Sequence, residues 1–308
     1  MGVAVQERTP LEGGRRHRER GAVADAALAT LGYIRRNPAM LVGLLFLLAL
    51  FLFVVIGHLT VDTDGYRPLS VRSLQPPSRE LPFGSDKQGR NLYAVMVVGT
   101  PLTLRIGLTA GLLGVALGSI VAFLAAYYGG VLDTVLKGII DVGLTVPGLL
   151  ILIIIGMRVR GGLSVNQMAL VIAVLAWLYP ARTIRSQVLT LKERGYVQIA
   201  RLSGMSGPKI IVKELLPNLL PYLVASLVSS VSAGILASIG LEVLGLGPFE
   251  APTLGMTLYW VNYNAAIINS WWWWWVPPIV VIAVLFIGLF LVAVGLDEVA
   301  NPRVRSRV

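Results

Sequence analysis

The chain has 308 residues, of which 56% are hydrophobic and only 14% are charged, and its mean hydropathy is +0.75. These values exclude an ordinary soluble globular protein and indicate an integral membrane protein. The sequence contains no cysteine and only two histidines, His17 and His58. Disulfides, thiolate zinc sites and iron–sulfur clusters are therefore excluded, and we expect no metal site.

Long apolar runs predict the membrane spans. The first run, 39–57, has no charged residue over 19 positions, which as a helix is long enough to cross the ~30 Å hydrocarbon core. Similar runs follow at 101–127, 139–157, 165–181, 219–245 and 278–296. Because the runs are continuously apolar and do not alternate like barrel strands, we predict an all-α membrane protein with six transmembrane helices.

Lysine and arginine predict the orientation. With six spans and the N-terminus inside, the inner segments contain 18 of these residues and the outer segments 7. The positive-inside rule then places both termini and the central polar loop in the cytoplasm. The predicted organisation is a cytoplasmic tail (1–36), a first transmembrane helix (37–57), an extracytoplasmic loop (58–99), a core with five more transmembrane helices (100–297) and a cytoplasmic tail (298–308).

The net charge of +10 is mostly a sign of this topology. The arginine-rich tail, 1–36, is expected to lie near anionic membrane lipid, and we expect no nucleic-acid partner. The sequence has no GxxxxGK[ST] loop, since the nearest fragment, 204–209, lacks the required spacing. It also has no convergent Ser/His/Asp set. We therefore expect no catalytic residues and no ATP hydrolysis by this chain.

The segment 194–217 is polar and basic, although it lies between two apolar runs. Residues 191–200 favour a short helix, which Gly204 interrupts, and Pro208 favours the start of a second helix. Pro217 is predicted to end that second helix just before the next span. The segment should form a helix–turn–helix against the inner face of the membrane.

Two interpretations of this segment are open on composition alone. It could be a docking surface for another protein, because Ala200 and Gly204 are small and would allow a close approach to the backbone. It could equally be an amphipathic helix that contacts only lipid headgroups.

The segment resembles the loop that defines permease subunits of bacterial ABC importers, written EAA, three residues, G, nine residues, I, one residue, LP. Residues 198–200 occupy the first triplet, Gly204 follows after three residues, and 216–217 is the Leu-Pro pair at the right distance. The acidic first position of the family is Gln198 here, and the late isoleucine is Glu214.

In that family the loop forms a coupling helix that fits a cleft on an ATPase subunit. The resemblance therefore implies a set of ATPase-docking residues in and around the loop. They are Glu193, Arg194, Tyr196, Gln198, Ile199, Ala200, Arg201, Gly204 and Ser206. The coupling loop as a whole is placed at 191–217.

Further segments are similar, in order and spacing, to the dipeptide/oligopeptide permease branch of this family. They are LQPPS at 74–78, FGSDKQGRN at 83–91, YYGG at 127–130 with Asp133, VPG at 146–148, LGLG at 244–247, and GLDE with NPR at 295–303. Glu242 and Val243 replace the usual Ser-Phe, and an acidic residue common in the branch falls at Ser238. The similarity extends over residues 33–305.

The resemblance implies the C-type permease subunit of an ATP-driven, binding-protein-dependent importer in a bacterial or archaeal cytoplasmic membrane. Its partners would be a second homologous permease, two ATP-binding cassette subunits carrying ATP and Mg, an extracytoplasmic solute-binding protein and membrane lipid. No cofactor is expected on this chain. The implied cargo is short peptides; oligosaccharides are the alternative, and nickel is disfavoured by the scarcity of His and Cys. A free-standing secondary transporter, from another class, would need buried charges or repeated halves, which the sequence does not display.

Polar residues in the predicted spans are candidates for the pathway or a gate. They are Asp141, Ser229, Ser230, Ser238 and Glu242. The serines suit either tight helix packing or a polar pathway. Asp141 is either a gate residue or a structural residue, which pairs with Arg105 or caps a helix end at headgroup level, and the structural role is favoured because a bare carboxylate in a span is costly. The run Trp271 to Trp275 is expected to form an aromatic belt, since consecutive residues point all round a helix and cannot make one sugar-stacking face.

Overall fold

The computed structural model describes residue 32 and residues 37–159 and 161–300, and of residues 299–300 only the backbone. The predicted tails therefore lie almost entirely outside the described residues. The described part is mainly helical; the long loop between Thr60 and Leu92 contains a 3-10 helix (Thr63–Tyr66) and one bridge between Ser85 and Asn91. Its α-helices are α1 (Pro38–Thr60), α2 (Leu92–Tyr128), α3 (Gly130–Thr145), α4 (Gly148–Gly156), α5 (Val165–Ala176), α6 (Leu178–Lys192), α7 (Gly195–Leu202), α8 (Gly207–Ile210), α9 (Leu216–Val243), α10 (Leu254–Tyr263) and α11 (Trp272–Ala300). The predicted all-α class is confirmed.

In the described part of the chain, four helical stretches are long and apolar enough to cross a membrane. They are Pro38–Thr60, Leu92–Tyr128, Gly207–Val243 and Trp272–Glu298. Two bent helix pairs are further candidates, α3 with α4 at 79° and α5 with α6 at 41°. When each bent pair is counted as one span, the total is the predicted six.

Both bends have a proline at or just after the break. Pro147 follows Val146, which is extended at ψ 131°, and it separates α3 from α4. The helical backbone conformation is disfavoured for a residue that precedes proline, so the helix ends at Val146 and the chain turns there. Pro180 lies in the first turn of α6 and has no N–H to donate to the carbonyl of Ala176, four residues earlier. The sequence had predicted these two spans as single apolar runs.

The long helix α2 is the centre of the bundle, and its glycines allow other helices to approach closely. A Cβ on Gly111 would lie only 2.8 Å from the backbone nitrogen of Val231 in α9. A Cβ on Gly118 would lie 2.8 Å from the carbonyl oxygen of Trp177, at the bend between α5 and α6. Small residues thus bring the backbones of three elements together, as is usual for helix packing in lipid.

A buried ion pair orders the loop between α1 and α2. The side chain of Asp86 is fully buried, and Arg90 donates from Nε to its Oδ2 at 2.5 Å. The other carboxylate oxygen accepts from the backbone N–H groups of Gln88 and Arg90. The guanidinium also lies over the ring of Trp260, 6.0 Å from its centroid, so the loop is tied to α10.

The tryptophan run packs mainly against this loop. Trp274 is fully buried and stacks on Trp271 with a centroid separation of 6.1 Å. Trp273 donates from Nε1 to the carbonyl oxygen of Ser85 at 3.3 Å. Trp272 is the most exposed member, at 54%. The predicted aromatic belt therefore fits Trp272, whereas its neighbours hold the loop on the end of α11.

Replacing Gly111 by alanine is expected to lower stability by about 1–3 kcal/mol, because the added methyl group would press on backbone atoms of α9 that cannot move independently. Gly138 is the matched control, since it is also helical but has nothing within 4 Å of an added Cβ. Thermal unfolding midpoints in detergent should fall for Gly111→Ala and not for Gly138→Ala. Equal midpoints would contradict the close packing of α2 and α9.

Candidate functional site

Within the predicted coupling loop, 191–217, the central segment (residues 193–215) forms the predicted helix–turn–helix. Helix α7 ends at Leu202 and is followed by Gly204, which has φ +77°, and Met205 N–H donates to the carbonyl of Ala200 at 3.1 Å. This left-handed ending favours glycine. Nothing lies within 4 Å of a Cβ on Gly204, so its place in this chain depends on backbone conformation and not on crowding. Pro208 is in the first turn of α8, where a missing N–H costs nothing.

Pro217 does not end the second helix, contrary to the expectation from sequence. Helix α8 continues through a π-helical turn, Ile211–Leu215, directly into α9, with Leu216 N–H donating to the carbonyl of Ile211. Proline cannot donate to the carbonyl of Lys213, four residues before it, and its ring crowds that carbonyl, so a wider turn is favoured just ahead of it. The central segment is therefore continuous with a helical rod of 37 residues, Gly207–Val243.

One face of α7 packs inside the chain. Val197 is fully buried and Ala200 is 7% exposed, both in a core cluster with residues of α2, α6 and α9. Tyr196 packs on the same cluster, and burial raises the pKa of its phenol. Arg201 lies over the ring of Tyr127 in α2, 5.2 Å from the centroid. The small size of Ala200 is thus explained by packing within this chain.

The opposite face of α7 and its flanks are exposed. Of the predicted docking residues, those with exposed side chains or backbone are Glu193, Arg194, Gln198, Ile199, Arg201, Gly204 and Ser206. Leu202, which the sequence reasoning did not single out, is 88% exposed, and Ile199 is 66% exposed. Their spacing of three residues on a helix was the available signal. Exposed apolar side chains between arginines make a surface suited to contact with another molecule.

An ion pair that was not predicted holds the helix leading into this segment. Arg185 of α6 donates from Nε and Nη2 to the two carboxylate oxygens of Asp133 in α3, each at 2.6 Å. The two side chains are 18% and 21% exposed. Lys192, at the end of α6, donates to the carbonyl oxygen of Ala126 in α2 at 2.8 Å. Helices α2, α3 and α6 are thus joined where the central segment begins.

The pathway candidates differ in exposure. Ser229 is exposed and Asp141 is partly buried, whereas Ser230, Ser238 and Glu242 are buried. The ion pairs of the described residues include Asp133 of α3 but not Asp141, so the structure does not have the predicted Asp141–Arg105 pair. The helix-end cap and the gate role of Asp141 stay predictions. No group of three or more His, Asp or Glu side chains in the described ranges could hold a metal ion.

Comparison with known proteins gives the family. Residues 114–306 match the model of the binding-protein-dependent transport system inner membrane component. The chain is 32% identical over 277 residues to a putative peptide transport system permease protein of Brucella abortus biovar 1 (strain 9-941), a match that covers 88% of this chain and 90% of that protein. It is 27% identical over 274 residues to the dipeptide transport system permease protein DppC of Alkalihalophilus pseudofirmus, covering 89% of this chain and 88% of that protein.

A chain of the MetNI methionine ABC transporter, solved in inward-facing conformations, has the same fold. The TM-score is 0.54 at 22% identity, and the match covers 70% of this chain and 98% of that chain. The protein belongs to the family of binding-protein-dependent transport system inner membrane components, which are the membrane permeases of ABC importers. The resemblance that the sequence motifs suggested is confirmed.

Replacing Asp133 by asparagine is expected to destabilise the protein by about 1–3 kcal/mol, because Arg185 would keep its charge in a site only 18% exposed without a carboxylate. Asp64→Asn is the matched control, since the Asp64–Arg67 pair is 3.1 Å long but more than 60% exposed on both sides and should contribute about 0–1 kcal/mol. Thermal unfolding in detergent compares the two. An equal loss of thermal stability in both variants would show that the Asp133–Arg185 pair contributes no more to stability than an exposed ion pair.

Proposed function

We propose that this chain imports short peptides across the cytoplasmic membrane of a bacterium or archaeon. It would act with a second homologous permease, two ATP-binding cassette subunits and an extracytoplasmic solute-binding protein. The observation that carries the proposal is the exposed face of α7, which belongs to a segment continuous with a membrane-spanning rod. A displacement of this segment by another subunit would therefore be transmitted to the membrane-spanning helix.

The docking partner is proposed to be the ATPase subunit. The exposed side chains of α7 combine two apolar residues, Ile199 and Leu202, with the cations Arg194 and Arg201. Apolar anchors flanked by arginine are typical of the centre of protein interfaces. A helix touching only lipid headgroups is the competing interpretation, and membership of the importer family favours the protein partner.

Several contacts would make the response to ATPase closure a rigid-body movement. Arg201 binds the ring of Tyr127, so α7 is attached to α2. Asp133 and Arg185 join α3 to α6, the helix that directly precedes the central segment in the chain. Closure of two ATPases on ATP and Mg would then shift these helices together between two states of the pathway. ATP hydrolysis is assigned to the partner subunits.

The orientation follows from the same assignment. An ATPase that uses cellular ATP lies in the cytoplasm, so α7 would face the cytoplasm, in agreement with the 18 basic residues of the inner segments against 7 in the outer ones. The loop between α1 and α2 and the segment around α10 would then face outward and meet the solute-binding protein. In the spans, Ser229 and Asp141 are the proposed pathway residues that retain exposure.

Replacing Leu202 or Ile199 by glutamate is expected to weaken the recovery of the ATPase subunits with the tagged chain. A charge placed at a buried anchor of an interface costs about 2 kcal/mol or more, which corresponds to a loss of roughly thirtyfold in affinity. Leu69→Glu is the matched control, because Leu69 is 86% exposed in the α1–α2 loop, far from α7 along the chain. Quantitative copurification from detergent measures the effect.

Unchanged recovery of the ATPases with both α7 variants would contradict the docking assignment. Ala200→Glu is not a suitable probe, because Ala200 is 7% exposed and a carboxylate there would disturb the chain's own core.

The peptide cargo is tested on the solute-binding protein that copurifies with the complex. We expect mass spectrometry of the material released from it to identify peptides of a few residues. The relatives from Brucella abortus and Alkalihalophilus pseudofirmus are named as peptide and dipeptide permeases, and peptide transport is proposed for this chain on that basis. Release of oligosaccharides instead would replace the cargo and leave the importer assignment in place.

A further inference from the structure

Glu242 lies at the far end of the rod from the central segment, and its side chain is fully buried. Thr253 donates from Oγ1 to the Glu242 Oε2 oxygen at 2.8 Å. Thr253 is also the N-cap of α10, since its Oγ1 accepts from the backbone N–H of Met256, in the first turn of α10, at 3.3 Å. The carboxyl group of one helix thus covers the N-terminus of the next, where N–H groups have no partner within the helix.

The chain is shaped closely around this side chain. A Cβ on Gly247 would lie 2.6 Å from Glu242 Cγ, and a Cβ on Gly255 would overlap Oε2. Glycine is therefore required on both sides of the carboxyl group. The loop between α9 and α10 wraps the side chain instead of leaving it in a water-filled path.

The same end of α10 is also fixed to α2. Leu254 N–H donates to Thr103 Oγ1 at 3.0 Å, and a Cβ on Gly99 would overlap the carbonyl oxygen of Pro252. The start of α10 is therefore held by two spans, with Glu242 supplying the contact from α9. Farther along α10, Arg90 lies over Trp260.

The two carboxylate oxygens of Glu242 are not equivalent. Oε2 accepts from Thr253, whereas Oε1 is buried and has no hydrogen-bond partner among the described residues. No ion pair in the described part of the chain involves Glu242. Of the two oxygens, Oε2 accepts the hydrogen bond at the start of α10. The side-chain amide oxygen of glutamine could accept the same hydrogen bond.

We propose that Glu242 is a positioning residue, which fastens the start of α10 to the end of the α9 rod so that α10 moves with the central segment. The proposal rests on the proposed function for the direction of the movement. It gives Glu242 a role different from that of a pathway or gate residue, because it acts through α10 and not by contact with the solute. Movement at α7 would then reach the outer surface where α10 meets the solute-binding protein.

Distance measurements between spin labels test the attachment. The chain has no cysteine, so Leu220→Cys on α9 and Asn262→Cys on α10, both at exposed positions, can be labelled in the purified complex. A sample without engineered cysteines corrects for labels on the partner subunits. Rigid attachment predicts one narrow distance distribution, which Glu242→Gln leaves unchanged and Glu242→Ala broadens at least twofold.

Glu250→Ala is the matched control, because it removes an exposed carboxylate from the same loop and should leave the distribution narrow. An unchanged width in Glu242→Ala would overturn the proposal, and so would equal broadening in Glu242→Gln, which would mean that the charge itself is used. If Glu242→Ala does not yield a folded complex, Thr253→Val removes the hydroxyl that donates to Glu242 and must broaden the distribution for the proposal to stand.

A second measurement is the ATPase rate of the complex as the solute-binding protein is added, divided by the rate of the same variant without it. The concentration of solute-binding protein that gives half of the maximal stimulation is compared between variants. Glu242→Ala should raise the half-maximal concentration about fivefold, the size of effect expected when a contact that supports a helix start is lost, and Glu242→Gln should restore it. No rise in Glu242→Ala would overturn the link between α10 and the binding protein. If the purified complex of the unsubstituted chain contained no ATPase subunit, the proposed function would be refuted. The distances between the spin labels would still show whether α10 is attached rigidly to α9.

Discussion

The continuity of the helical rod from Gly207 to Val243 is the constraint on which the rest of the structure depends. In lipid a backbone must satisfy its own hydrogen bonds, so an unbroken helix is stiff along its length and cannot be interrupted cheaply. Here the π turn at Ile211–Leu215 preserves the helix where proline would otherwise break it. As a result, a single element runs from the turn that follows α7 to Glu242 at its other end.

Other contacts make this element useful for coupling. Glycines of α2 allow α9 and the α5–α6 bend to pack closely on it, and close packing has few intermediate arrangements. Polar contacts are placed mainly at the ends of the helices: Asp133 with Arg185 near the central segment, and Asp86 with Arg90 in the opposite loop. The membrane-spanning parts of the helices are held together by close packing, and the specific hydrogen bonds and ion pairs lie mainly at the helix ends.

The sequence predicted the class of protein and the central segment, and its six spans match the structure when each bent helix pair is counted as one span. Hydropathy, charge bias and a spaced Gly and Leu-Pro pattern are local signals. It did not predict the partner of Asp133, since Arg185 is 52 residues away and a single sequence contains no information on such pairing. Pro217 was interpreted as a helix end, because propensity does not distinguish a break from a π turn. Ala200 and Glu242 were assigned to surfaces or pathways, whereas their burial depends on the tertiary packing of other helices.

The most direct test of the central claim is crosslinking from the tip of α7. With no native cysteine, Leu202→Cys places a single reactive group on the exposed face, and a short photoactivatable reagent attached there can be activated in native membranes. If α7 docks on the ATPase, mass spectrometry will identify the crosslinked product as an ATP-binding cassette subunit, joined through its membrane-facing surface. Crosslinks to lipid alone would contradict the account and would make α7 an interfacial helix.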